Sequence, residues 1–154
     1  MRTHHIAAIP GDGIGPEVLQ AGLAVLAAVE KNEGFALDIV HFPWGSEFYL
    51  QNGRMVSEGG IESLKDFKAI YFGAVGSKEV PDHVTVWELI LPIRQIFDQY
   101  VNLRPMRLLP GLTSPLAGRT SADIDMICVR ENTEGLFSAR LSTRLSTWRG
   151  QIGC

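Results

Sequence analysis

At 154 residues the chain can bury one sizeable core, and 45% hydrophobic with 20% charged residues is ordinary for a globular sequence. A formal charge of −3, from 17 acidic and 14 basic side chains with no long run of either sign, argues against nucleic-acid binding, which usually needs a basic field. The longest apolar runs are too short to span a bilayer, and residues 6–9 ahead of Pro10 are too few for a secretory leader. Cys128 and Cys154 stand at no metal-binding spacing. Cys128 lies in the apolar run 124–129, so a buried, inert thiol and a reducing, cytoplasmic setting are expected.

Residues 5–10 read as a short buried strand broken at GDGIGP. A helix follows, with Pro16 at its first position, where the missing N–H costs nothing. Val18, Leu19, Gly22, Val25, Leu26 and Val29 form an apolar stripe at helical spacing, and Gly34 supplies the stop. Residues 36–42 (ALDIVHF) predict a second strand, and residues 45–67 a helical or mixed stretch. Residues 69–74 (AIYFGA) are continuously apolar, as a strand covered on both faces should be.

Across residues 85–99, Trp87, Ile90, Leu91, Arg94 and Phe97 share one side of a predicted helix. Pro92 interrupts it. Proline inside a helix costs about 3 kcal/mol, so a kink or a second short helix opened by Pro92 is expected. Residues 101–109 and 124–131 are the last strands, separated by the loop 110–123. Strands alternating with helices place the chain in the α/β class with a largely parallel sheet. After Gly135 the sequence LFSARLSTRLSTWRGQIGC holds two copies of RLST and no acidic residue, and reads as a solvated, poorly ordered tail.

The segment GDGIGPEV (residues 11–18) joins a strand to a helix. Its glycines let the backbone approach a ligand, and a helix N-terminus favours anions. A tight turn needing positive φ is the plainer alternative. The dinucleotide fingerprint G-x-G-x-x-G is not matched, because the third glycine comes one residue early. Three further segments follow in order: YFGAVG (71–76), DQYVNLRP (98–105) and VRENTEG (129–135). Together the four resemble the isocitrate and isopropylmalate dehydrogenase family across residues 6–135. PDHVTVW (81–87) and FDQYVNLRPMRLLPG (97–111) are most similar to its tartrate and D-malate dehydrogenase (decarboxylating) branch.

That resemblance implies an incomplete isopropylmalate-dehydrogenase-like α/β fold, with a mainly parallel sheet flanked by helices. Residues 1–100 would begin the large domain and 101–135 the second, with 136–154 off the family pattern. The implied activity is NAD-dependent oxidation of a 2-hydroxy diacid of the D-malate or tartrate type. Loss of carbon dioxide would follow, assisted by Mn2+ or Mg2+, in a homodimer.

Arg94, Arg104 and Arg130 match positions where the family grips substrate carboxylates. A guanidinium fork suits a carboxylate, and several forks suit a diacid. The plainer reading of each is a surface or salt-bridged side chain, less so for Arg104 and Arg130, which border apolar strands where a free charge is costly. Arg107 is read as structural. Ile14, Gly73, Ala74, Val75 and Gly76 match cofactor positions, and open parallel sheets bind ligands beyond the carboxyl ends of their strands. Trp87 falls on the helix that shapes the far end of the substrate, a plain core tryptophan being the alternative. Asp12, Glu17 and Glu131 read as turn, helix-start and packing charges. His4, His5, His41 and His83 form no metal-ligand pattern.

Two departures qualify the resemblance. The family's proton-donating tyrosine is replaced by Phe137, which has no proton to give. The family's lysine base and metal-holding aspartates fall beyond the matched stretch. No catalytic residue and no metal ligand is therefore assigned, and an inactive N-terminal piece, arising by truncation or frameshift, is expected. The alternatives are a piece of a 3-isopropylmalate dehydrogenase, which residues 87–94 would distinguish, a non-catalytic binding or structural fragment, and a nucleotide-binding module resting on GDGIG alone.

Overall fold

Strand β1 (Arg2–Ile9) runs through the middle of a three-stranded sheet ordered β2-β1-β3, with β2 (Phe35–His41) and β3 (Ala69–Phe72) both parallel to it. The computed structural model describes residues 2–132, and the chain divides into the units Met1–Ile96 and Phe97–Cys154. The α/β expectation holds. In the register, Ile6 lies between Ile39 and Ala69, and Ala7, Ala8 and Ile9 are fully buried, as the central strand demands.

Helix α1 (Gly15–Glu33) connects β1 to β2. Pro16 lies in its first turn, and Gly34 ends it in the left-handed conformation with its N–H donating to Glu30 O. The predicted stripe is only partly correct. Leu19 is buried, but Val18, Val25 and Val29 are exposed. The covered face instead runs through Gly15, Leu19, Gly22, Leu23 and Leu26. Close packing sets this phase: a Cβ on Gly22 would lie 1.7 Å from the hydroxyl oxygen of Tyr71 on β3. Strand β3 is half-buried rather than covered on both faces, and Ala69 is exposed.

Residues 45–67 form α2 (Ser46–Asn52), α3 (Gly60–Ser63) and a 3-10 turn (Leu64–Asp66). They close over an aromatic cluster. Phe42 packs against Trp44 at 4.6 Å and against Phe67 at 5.5 Å between ring centroids, and Trp44 is buried.

Pro92 is resolved in a way that periodicity alone does not predict. Helix α4 (Asp82–Thr85) passes into a π-helical turn (Val86–Ile90), and α5 (Leu91–Ile96) follows with Pro92 in its first turn. Proline can donate no N–H and its ring crowds the preceding turn. The backbone widens, and the Leu91 N–H donates to Val86 O, five residues back. The wide turn shifts the helical phase. Thr85, Leu89 and Ile93 are buried, whereas Trp87, expected on the inner stripe, is 53% exposed.

In the second unit, β4 (Val101–Arg107) and β5 (Asp125–Glu131) form an antiparallel ribbon, so the parallel sheet is a feature of the first unit. All of β5 is exposed. Cys128 is therefore an exposed free thiol, which corrects the expectation of burial: among the described residues the ribbon has two strands and no third, and every residue of β5 is exposed. Among the described residues no helix is long and apolar enough to cross a membrane.

Candidate functional site

Because β1, β2 and β3 are parallel, the loops that leave them gather at one edge of the sheet. These are residues 10–14, 42–45 and 73–76. The first and third loops interlock through glycine. A Cβ on Gly11 would lie 2.1 Å from Ala74 O, one on Gly15 2.2 Å from Pro10 O, and one on Gly73 2.1 Å from Pro10 O. Most glycines of GDGIG thus let backbone meet backbone, rather than opening the turn to a ligand. Gly13 and Gly76 differ: both have positive φ, and a Cβ on either would meet nothing within 4 Å.

Backbone bonds complete the interlock. The Gly73 N–H donates to Ile9 O at 2.8 Å, and the Asp12 N–H donates to Ala74 O at 2.7 Å. Asp12 also works through its carboxylate. Oδ1 accepts the Ser46 N–H at 2.6 Å, while Oδ2 accepts the Ser46 hydroxyl at 2.8 Å and the Gly76 N–H at 2.9 Å. Of the residues expected to meet a cofactor, Ile14, Ala74 and Gly76 are exposed at this edge and Val75 is half-buried. Gly73 is committed to the packing against β1.

The arginines divide between the units. Arg94 is half-buried on α5 of the first. Arg104 and Arg130 belong to the ribbon, where Arg104 pairs with Cys128 and Arg130 with Asn102. Directly paired residues of an antiparallel ladder point to the same side, and alternate residues share a face. Asn102, Arg104, Met106, Met126, Cys128 and Arg130 therefore share one face. Val101, Leu103, Pro105, Ile127 and Val129 occupy the other, together with Arg107 and Asp125. Arg104 Nε reaches Asn102 Oδ1 at 3.4 Å, whereas Arg107 makes a 2.7 Å ion pair with Asp125. Two arginines on one face of a ribbon, one diagonal step apart, can hold an anion with more than one negative oxygen.

Trp87 projects from the π-helical turn, and the neighbouring Glu88 carboxylate accepts the N–H of buried Met55 at 3.2 Å. Neither the π turn nor the Asp12 cluster follows from spacing alone. The signals for them are Pro92 inside an apolar periodic run and an acidic residue between two turn glycines. Among the described residues no three His, Cys, Asp or Glu side chains gather as a cation site. Phe137 lies outside the described residues.

The profile of the isocitrate/isopropylmalate dehydrogenase family matches residues 5–152. The chain belongs to that family. It is 55% identical over 139 residues to an Agrobacterium vitis protein named "Probable tartrate dehydrogenase/decarboxylase TtuC'", covering 90% of this chain and 39% of the relative. It is 53% identical over 141 residues to the D-malate dehydrogenase (decarboxylating) of Escherichia coli strain K12, again covering 90% of this chain and 39% of the relative. The crystal structure of isocitrate dehydrogenase from Methylococcus capsulatus superposes with a TM-score of 0.70 at 26% identity, over 87% of this chain and 36% of that one. The chain spans 39% of the length of the two sequence relatives. The resemblance to the tartrate and D-malate branch, drawn from four short segments, is borne out over nine-tenths of the chain. Decarboxylating dehydrogenation is the activity given in the name of the Escherichia coli relative.

Proposed function

We propose that this chain is the N-terminal part of an enzyme that oxidises and decarboxylates a 2-hydroxy diacid of the D-malate or tartrate type with NAD. Residues 1–100 would then begin its large domain and residues 101–135 its second. The observation that carries the reading is the shared face of Arg104 and Arg130 on the ribbon. Paired forks suit a dicarboxylate better than a neutral or singly charged substrate.

NAD fits the residues at the sheet edge. Open backbone at Gly13 and Gly76 and the exposed Ile14 and Ala74 line the carboxyl ends of parallel strands, where such ligands sit. When bound, NAD would accept the hydride; the chain's own part is to hold and orient it through Ile14 and residues 73–76. Mn2+ or Mg2+, which the family implies, finds no donor cluster among the described residues. A cytoplasmic homodimer is the proposed working form.

The test is NADH formation from D-malate with manganese and NAD supplied. Residues 1–135 grafted onto the remaining portion of the E. coli D-malate dehydrogenase should turn over with tyrosine at position 137, and much more slowly when that position is given the phenylalanine of this chain. A polypeptide of these 154 residues alone should give no turnover, since loss of a general base by itself removes about 10²–10⁴-fold. Preference of the active graft for 3-isopropylmalate would overturn the substrate assignment. Turnover by the 154-residue polypeptide would overturn its inactivity.

A further inference from the structure

Asp12 joins the three loops at the edge of the parallel sheet through one carboxylate. It lies in the loop after β1, while its acceptors serve Ser46 after β2 and Gly76 after β3. We propose that Asp12 is a positioning residue for the cofactor loop 73–76, holding its far end in place through the N–H of Gly76. The proposal rests on the reading of residues 73–76 as cofactor-binding.

The two ends of that loop are held differently. Its start is wedged against β1, with Gly73 packed on Pro10 and its N–H bonded to Ile9 O. Its end has open space around Gly76, which also takes a φ of 133°. A glycine so placed loses much conformational entropy on being fixed, so a tether has a large effect on how often the loop holds one shape. The 2.9 Å bond from Gly76 N–H to a carboxylate is charge-assisted and is such a tether.

The choice of an acid at this position follows from the donor set. A carboxylate presents acceptor lone pairs on both oxygens, and here three donors converge on it. Oδ1 satisfies the N–H of Ser46, the first residue of α2, one of the amides that a helix start leaves without a partner. The preceding Gly45 has no side chain to do this, and a Cβ there would lie 2.7 Å from Asp12 Oδ1. Oδ2 is left for the Ser46 hydroxyl and Gly76. An asparagine can reproduce the first function but not the last. With its oxygen toward Ser46 N–H, its amide can donate to the Ser46 hydroxyl but offers Gly76 no acceptor.

Amide exchange followed by NMR on the 154-residue chain, together with NAD titration, separates these roles. In the wild-type chain the Gly76 amide should exchange at least about tenfold more slowly than in an unstructured peptide, as one retained charge-assisted bond implies. Exchange at the unstructured rate overturns the proposal whether or not any variant folds. In Asp12→Asn the Gly76 amide should speed up by about tenfold, with the Ser46 and Ala7 amides unchanged. Millimolar NAD should shift the Gly76 resonance, and the same variant should bind it about tenfold more weakly. Equal affinity in wild type and variant overturns the role of Asp12 alone. Absence of NAD binding to the wild type, with Gly76 still protected, overturns the cofactor reading and the positioning role together.

Discussion

Arg104 and Arg130 stand one diagonal step apart on the same face of the β4–β5 ribbon. Diagonal neighbours of an antiparallel pair lie about 7–8 Å apart, within reach of long side chains. Arg107 is on the opposite face and is engaged with Asp125 at 2.7 Å. The three arginines therefore separate by position before any substrate is considered.

In the active graft, Arg104→Met and Arg130→Met should each raise the KM for D-malate by about tenfold to a hundredfold, because a hydrogen bond to a charged group is worth roughly 1.5–3 kcal/mol. Arg107→Met should change it little. Loss of the exposed Arg107–Asp125 pair should also be mild for stability, at most about 1 kcal/mol. Steady-state kinetics on the three variants check this, and a largest effect at Arg107 would refute the assignment.

The alternation of strand and helix was legible because β1, α1, β2 and β3 each carry their own signals: an apolar run, a proline start, a glycine stop. The faces of those elements were less so. Val18, Val25 and Val29 look like core residues by spacing, yet α1 seats itself by bringing Gly22 against Tyr71. That close approach depends on a partner 49 positions away in the sequence, 22 to 71, and no helical period encodes it. Trp87 shows the same limit, since the π turn forced by Pro92 rotates the residues around it. The site was legible as residue types. That Arg104 and Arg130 share a face while Arg107 does not depends on the pairing register, which a sequence of odd and even positions suggests only once both strands are aligned.

Gly22→Ala should destabilise the first unit, because a Cβ there would meet the Tyr71 hydroxyl oxygen at 1.7 Å and its Cζ at 2.8 Å. Overpacking of this kind typically costs about 1–3 kcal/mol. Tyr71→Phe removes the nearer atom but not the ring. The double variant should therefore recover part of the loss, and a thermodynamic cycle from urea unfolding reads the coupling. Strict additivity of the two changes would show that α1 and β3 do not meet as described.

The Asp123 carboxyl is held below its ordinary value of 3.8, first by the backbone N–H of Thr120 and then by the Thr120 hydroxyl, with desolvation opposing weakly. A depressed folded-state value means that the turn gains stability above the unfolded value and loses it as pH falls through the folded one. Protection of the Thr120 amide should accordingly persist at neutral pH and fade only in acid below about 4. Asp123→Asn should make that protection independent of pH over the same range. A protection step near neutral pH in the wild-type chain would point to a different group.

The opposite face of the ribbon leads to a prediction about association. Val101, Leu103, Ile127 and Val129 are all exposed there, and Leu103 is directly paired with Val129. A two-stranded ribbon is marginal in water without a covered apolar face, and an uncovered one is a surface for other chains. A polypeptide of these 154 residues should therefore elute as oligomers, bind apolar dyes and melt broadly. The pairing suggests a change that removes the patch and keeps the ribbon. Leu103→Lys combined with Val129→Glu places opposite charges on a directly paired cross-strand site, which contributes roughly 0.2–1 kcal/mol to the pair. This double variant should shift the elution toward monomer and lower dye binding several-fold, while the circular dichroism of the first unit stays the same. A wild-type polypeptide that elutes as a monodisperse monomer with a sharp transition would show that the face is covered within a single chain.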